Sequence, residues 1–210
     1  MRVRKKKHGT ERLLACEEYF LPESFSDFSQ VFESSSPVHM EIGCGKGSFI
    51  KGMSQKHPDI NFIAVEKITD VMVCCAEKVK ETQVKNVRIL CADAKALSEH
   101  IPPHSIERIY LNFSDPWPKA GHKKRRLTHA LFLEIYKNLL TENGSIALKT
   151  DNDGLFEFSL EEFAQNGFNV CDVTYDLHSE PYASDNVMTE YEANFSKQGI
   201  NIKRCVAYLK

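Results

Sequence analysis

The apolar run Val38 to Ile42 breaks into Gly43-Cys44-Gly45-Lys46-Gly47, and Phe49, Ile50 and Met53 follow at helical spacing. A buried strand that turns sharply on glycines into a helix is the opening unit of an α/β sheet. The alternation continues. Phe62 to Val65, Val87 to Cys91, Ile109 to Phe113 and Ile146 to Leu148 read as strands two to five. Between them, Val71, Cys75 and Val79 mark a helix for which Thr69 is a suitable N-cap. Leu127, Leu131 and Ile135 mark a second helix, expected to end near the turn signal Asn143-Gly144. Phe156, Leu160 and Phe163 mark a third. Val170 to Leu177 and Arg204 to Leu209 read as a late antiparallel pair. Strands alternating with helices imply an α/β fold, a mostly parallel sheet with helices on both faces.

Ser34-Ser35-Ser36-Pro37 reads as a connector. It separates an N-terminal basic arm and extension, residues 1–36, from an α/β domain, residues 37–210. Hydrophobic residues make up 42% of the 210, enough for a sizeable core. The net charge of −2 argues against a chain that coats nucleic acid indiscriminately but leaves room for a local basic patch. The seven cysteines form no C-x-x-C pair, so a reducing cytoplasmic compartment is expected, with no disulfide framework and no metal. No stretch has the length of a membrane span, so no membrane partner is expected.

In parallel sheets ligands bind beyond the carboxyl ends of the strands. The residues just past strands one to five are Gly43, Glu66, Asp93, Asp115 and Asp151. The G-x-G-x-G spacing is neither the dinucleotide fingerprint nor a phosphate loop, since Met40 stands where the latter needs its first glycine. Glu66 can accept from two ribose hydroxyls and Asp93 from an adenine amino group. Glu41, beside the loop, favours a cationic ligand and would repel a phosphate. S-adenosylmethionine has the ribose, the adenine and the positive charges, and no phosphate.

Asn112-Phe113-Ser114-Asp115-Pro116-Trp117-Pro118-Lys119 leaves the fourth strand. Its prolines stiffen a loop that carries a carboxylate and the chain's single tryptophan, a candidate wall for a base pocket. Gly121, His122, Lys123, Lys124, Arg125 and Arg126 follow. Cations are poorly placed at a helix start, and contacts with phosphate would offset that cost. Arg2 to Lys7 is a possible second basic contact. Asp151, and Glu192 in the polar stretch Thr189-Glu190-Tyr191-Glu192, are acceptors that could meet the N1–H and amino group of guanine; a capping box or a plain turn would explain either equally well.

These segments together resemble the bacterial tRNA (guanine-N7)-methyltransferase family, as do Met1-Arg2-Val3-Arg4, His122-x-Lys124-Arg125-Arg126-Leu127 and Lys149-Thr150-Asp151. The resemblance implies a class I S-adenosylmethionine-dependent methyltransferase (Rossmann-like) fold, a seven-stranded sheet with its last strand antiparallel. It makes residues 37–210 the methyltransferase domain. It implies transfer of a methyl group to N7 of guanosine 46 in the variable loop of tRNA, by a cytoplasmic monomer or homodimer. By motif, Glu41, Gly43, Gly45, Glu66, Asp93 and Asp115 correspond to cofactor positions, and Asp115 also to the catalytic one. Lys119, Asp151, Thr189, Tyr191 and Glu192 correspond to substrate positions, and Gly121 to Arg126 to the RNA-contacting run. Ser114 and Gly121 depart from the family's usual proline and arginine. Rival readings are a methyltransferase for another RNA or another guanine atom, a non-catalytic RNA-binding subunit, and a nicotinamide-dependent oxidoreductase, which the glycine spacing disfavours.

Overall fold

A computed structural model of the chain describes residues 6–210 except Glu180, Tyr182 and Asp185. Arg2 to Arg4 and Lys5 of the basic arm lie outside the described residues. Seven strands form one sheet in the order β3-β2-β1-β4-β5-β7-β6, flanked by helices. The chain divides into two compact units, Met1–Pro102 and Pro103–Lys210.

In the first unit, β1 (Val38–Ile42), β2 (Asn61–Val65) and β3 (Val87–Leu90) run parallel, with Ile42 opposite Val65 and Val65 opposite Leu90. Every residue of β1 and β2 is buried, which explains why they read as continuous apolar runs without alternation. After α1 (Gly9–Leu14), α2 (Ser48–Lys56) buries Phe49, Ile50 and Met53 as expected. In α3 (Thr69–Thr82), Met72, Val73, Cys75, Ala76 and Val79 form the buried face, each large side chain contributing roughly 1.5–3 kcal/mol. Thr69 is the first helical residue and not the cap. Ile68 occupies the cap position, and its amide donates to Glu66 Oε1 at 2.9 Å.

The segment read as an extension packs within this unit. Arg12 on α1 makes a two-pronged ion pair with Glu77 on α3, at 2.6 and 2.7 Å, and the Leu21 amide donates to the Ile89 carbonyl at 2.9 Å.

In the second unit, which follows α4 (Leu97–His100), β4 (Ile106–Asn112) and β5 (Leu140–Thr150) are parallel. Both β6 (Phe168–Thr174) and β5 pair antiparallel with β7 (Lys203–Leu209), so the expected late pair is present. The helix α5 spans Ala130–Leu139, and α6 spans Asp153–Gln165.

Two expectations need correction here. Leu131 is 56% exposed, and α5 buries Phe132, Leu133, Tyr136 and Leu139. The apparent Leu127 stripe crossed a boundary, because the helix starts only at Ala130, capped by His129. Asn143-Gly144 does not end the helix either. It lies in a bulge of β5, where Leu140 to Ser145 is matched by Ile106 to Arg108 on β4. A Cβ on Gly144 would lie 2.8 Å from Leu140 Cβ, so the bulge has room only for glycine.

Candidate active site

In the first unit the glycine loop leaves β1 and caps α2. Gly43 and Cys44 both donate to the Val65 carbonyl, at 2.8 and 2.9 Å, which fastens the loop to the end of β2. Gly45 and Gly47 have φ of 58° and 76°, in the left-handed region where a side chain is strained. A Cβ at Gly43 or Gly45 would meet nothing within 4 Å, so the space over the loop is open. At Gly47 it would come within 2.6 Å of Cys75 Sγ. The third glycine is thus required by packing, and the first two stand beside open space.

Glu66 joins this loop. Its Oε2 accepts from the Gly45 amide at 3.3 Å while Oε1 accepts from Ile68. A carboxylate has about four acceptor sites, so both oxygens retain capacity for hydroxyl donors. Glu41 is only 2% exposed, inside β1. Asp93 follows β3, accepts from the Lys95 amide at 3.0 Å, and keeps an exposed carboxylate 3.9 Å from Lys67 Nζ. The hydrogen bond with Cys75, then burial, pushes the Cys44 thiol well up, so this loop carries no thiolate nucleophile. Open space above two glycines, flanked by carboxylates and no cation of the loop's own except Lys46, fits a nucleoside bearing positive charge.

In the second unit, Asp115 is exposed on the turn after β4. Phe113 and Trp117, two residues to either side, both have positive φ, 52° and 40°. Left-handed backbone at bulky residues is uncommon and costs roughly 1–2 kcal/mol each. Phe113 stacks on Tyr191 and Phe195 at centroid distances of 6.5 and 6.1 Å. Trp117 is flanked by this chain's own groups, Arg125 at 4.8 Å from its ring and His122 edge-on at 5.7 Å. The basic run forms a 3-10 turn, Ala120–Arg125, separate from α5. Lys119, Gly121, Lys123, Lys124 and Arg125 are exposed and His122 half-buried. Arg126 departs from its neighbours. It is 7% exposed, and its guanidinium is engaged inside the protein.

Thr189 to Glu192 is not a polar loop but the capped start of α7 (Glu190–Ser196). Thr189 Oγ1 accepts from the Glu192 amide at 2.9 Å. Glu192 is 0% exposed. Its Oε2 faces Lys149 Nζ at 2.9 Å, and its Oε1 accepts from Asn186 and contacts His178 Nε2 at 2.9 Å. Both oxygens are occupied, so the carboxylate does not face a ligand. Tyr191, on the same turn, is 57% exposed, and Asp151 is half-exposed after β5. His178 carried no sequence signal, because nothing in its neighbourhood announces a partner fourteen residues away.

The sheet order and the glycine loop define the fold of the S-adenosylmethionine-dependent methyltransferases. Residues 35–205 match the family described as "Putative methyltransferase". The 16S rRNA methyltransferase KamB shares the fold at a TM-score of 0.67 and 15% identity, over 90% of this chain and 95% of that one. A SAM-dependent methyltransferase from Aquifex aeolicus does so at 0.56 and 15%, over 98% and 100%. Sequence relatives are nearer. A tRNA (guanine-N(7)-)-methyltransferase of Streptococcus equi subsp. zooepidemicus is 47% identical, over 99% of both chains. One of Geobacillus kaustophilus is 44% identical, over 99% of this chain and 96% of its own. The chain belongs to the tRNA (guanine-N7)-methyltransferase family.

Proposed function

We propose that this protein methylates N7 of a guanosine in tRNA, with S-adenosylmethionine as donor, and that the target is guanosine 46 of the variable loop. The observation that carries the reading is Asp115, held exposed on a strained aromatic turn that runs directly into four exposed cations. The family membership supports the reaction, and the open, carboxylate-flanked glycine loop supports the donor.

S-adenosylmethionine supplies a methyl group on a positively charged sulfur. Glu66 accepts from ribose hydroxyls, Asp93 from the adenine amino group, and Glu41 with Gly43 and Gly45 admits the cationic end. Guanine N7 has a free lone pair, so no side chain must first remove a proton from it. As the purine gains positive charge, the Asp115 carboxylate stabilises it, and Asp115 also contributes to holding the donor. Asp151 accepts from the guanine edge, and Tyr191 offers an exposed ring beside Phe113. Thr189 and Glu192 shape the start of α7. Lys119, Lys123, Lys124, Arg125 and His122 hold the phosphate backbone, with Gly121 giving them close approach. Among the described residues no helix is long and apolar enough to cross a membrane, and no cluster of three His, Cys, Asp or Glu could hold a metal. The protein works in the cytoplasm, as a monomer or homodimer, with residues 37–210 as its methyltransferase domain.

The test is incubation with methyl-labelled donor and unmodified tRNA, followed by nuclease digestion and mass spectrometry. The expected product is 7-methylguanosine at position 46; label at another nucleotide or another atom overturns the reading. Asp115→Ala is expected to lower kcat by about a hundredfold or more while calorimetry still detects donor binding. Near-normal turnover would remove Asp115 from the mechanism.

A further inference from the structure

We propose that Arg126 is a positioning residue that holds the Asp115 turn from within the protein, and that it takes no phosphate of the tRNA. The inference rests on the proposed function for its link to turnover, but its geometry stands apart from it. The basic run looks uniform in sequence, yet its last member points the other way. Arg126 Nε donates to the Pro116 carbonyl at 2.9 Å and Nη2 to the Trp117 carbonyl at 3.2 Å. The guanidinium carbon lies 4.4 Å from the ring centroid of Phe158 on α6. Among the described residues those two carbonyls accept from no other group. They belong to the two residues immediately after Asp115.

The physical need for such a clamp is visible in the turn. Trp117 and Phe113 hold left-handed backbone conformations, which persist only where the surroundings fix them. Pro116 has no N–H, so it cannot donate a backbone hydrogen bond. The planar, forked guanidinium suits two adjacent carbonyls, and an ammonium on a flexible stem does not. Its backbone is tied down as well, since the Arg126 amide donates to Lys123 and its carbonyl accepts from His129, the cap of α5. Reaching a phosphate would require the side chain to abandon both carbonyls and the Phe158 ring together.

Trp117 is the only tryptophan, so its fluorescence reports on this turn without reference to activity. The experiment compares Arg126→Ala, Arg126→Lys and wild type in the full chain, with and without millimolar guanidinium. Expected for Arg126→Ala are greater quenching of Trp117 by acrylamide, a kcat lower on the order of a hundredfold, and a salt dependence of tRNA binding equal to wild type. Guanidinium, filling the vacated socket, restores the quenching profile and part of kcat, and Arg126→Lys resembles Arg126→Ala. Should Arg126→Ala fail to fold, Arg126→Lys carries the same readouts. A salt slope lower by about one contact, with Trp117 unchanged, would make Arg126 a phosphate ligand and overturn the proposal. Unaltered quenching together with normal kcat would also overturn it. A wild-type protein that methylates no tRNA guanine would sink the proposed function, while the Trp117 signal would still decide the clamp.

Discussion

Replacing Lys149 with methionine removes the cation beside a fully buried carboxylate while keeping most of the side-chain volume. Lys149 Nζ lies 2.9 Å from Glu192 Oε2 and also donates to Asn186 Oδ1 at 3.1 Å and the Val187 carbonyl at 3.0 Å. Breaking one partner of a buried pair costs about 3–5 kcal/mol, because the remaining charge is left uncompensated. Here His178 and Asn186 still hold the other oxygen, so the lower end, about 3 kcal/mol, is expected. Glu192→Gln should cost about 2 kcal/mol, since Lys149 keeps two acceptors. In Lys149→Met/Glu192→Gln neither charge is stranded, and the double variant should be about 2 kcal/mol less destabilised than the two singles combined. Urea denaturation of all four proteins reads this directly. A coupling below about 0.5 kcal/mol would refute the claim that these charges depend on each other.

The same pair predicts a pH dependence. Burial pushes the Glu192 carboxyl up, but Lys149, His178 and Asn186 more than reverse this and hold it below the ordinary carboxylate value. A depressed folded value means that the stabilisation is complete above the unfolded value of about 4.3 and is lost as pH falls further. The gap between wild type and Glu192→Gln should therefore shrink under acid, and a gap independent of pH would contradict the assignment.

Gly47→Ala places a Cβ 2.6 Å from Cys75 Sγ and 3.2 Å from its Cα at left-handed φ, and should cost about 2–4 kcal/mol in thermal or urea unfolding. Gly43→Ala meets nothing within 4 Å and should cost only about 1 kcal/mol, yet raise the donor Kd measured by calorimetry. Burial pushes the Cys205 thiol up to about 12, so folding stability should fall by about 1.4 kcal/mol per pH unit above the unfolded value near 8.5, a slope that Cys205→Ala abolishes. Substituting Lys123, Lys124 and Arg125 together with alanine should raise the tRNA KM and lower the slope of log K against log salt by about 2 to 3.

The strands and their order of appearance were legible because β1 and β2 are buried along their whole length, which writes them as unbroken apolar runs. The glycine loop was legible because only glycine fits there. What escaped was what depends on partners far away in sequence. Asn143-Gly144 is a turn signal in any local reading, and only pairing with β4 turns it into a bulge. Thr189 to Glu192 fits a polar loop and a capping box equally well until Lys149 and His178 are known to meet the carboxylate. Arg126 looks like its basic neighbours, because composition does not record which way a side chain faces. The positive φ of Phe113 had no signal at all, aromatic residues being ordinary in the strand it leaves.

That backbone state bears on how this enzyme can be improved. Glycine or asparagine would sit at positions 113 and 117 with less strain than the rings now there. A library screened solely for heat resistance should drift toward those residues, and each such gain would erase an aromatic surface next to Asp115. Thermal endurance and turnover are set against each other within five consecutive residues, so any campaign to toughen the protein should hold this short stretch fixed.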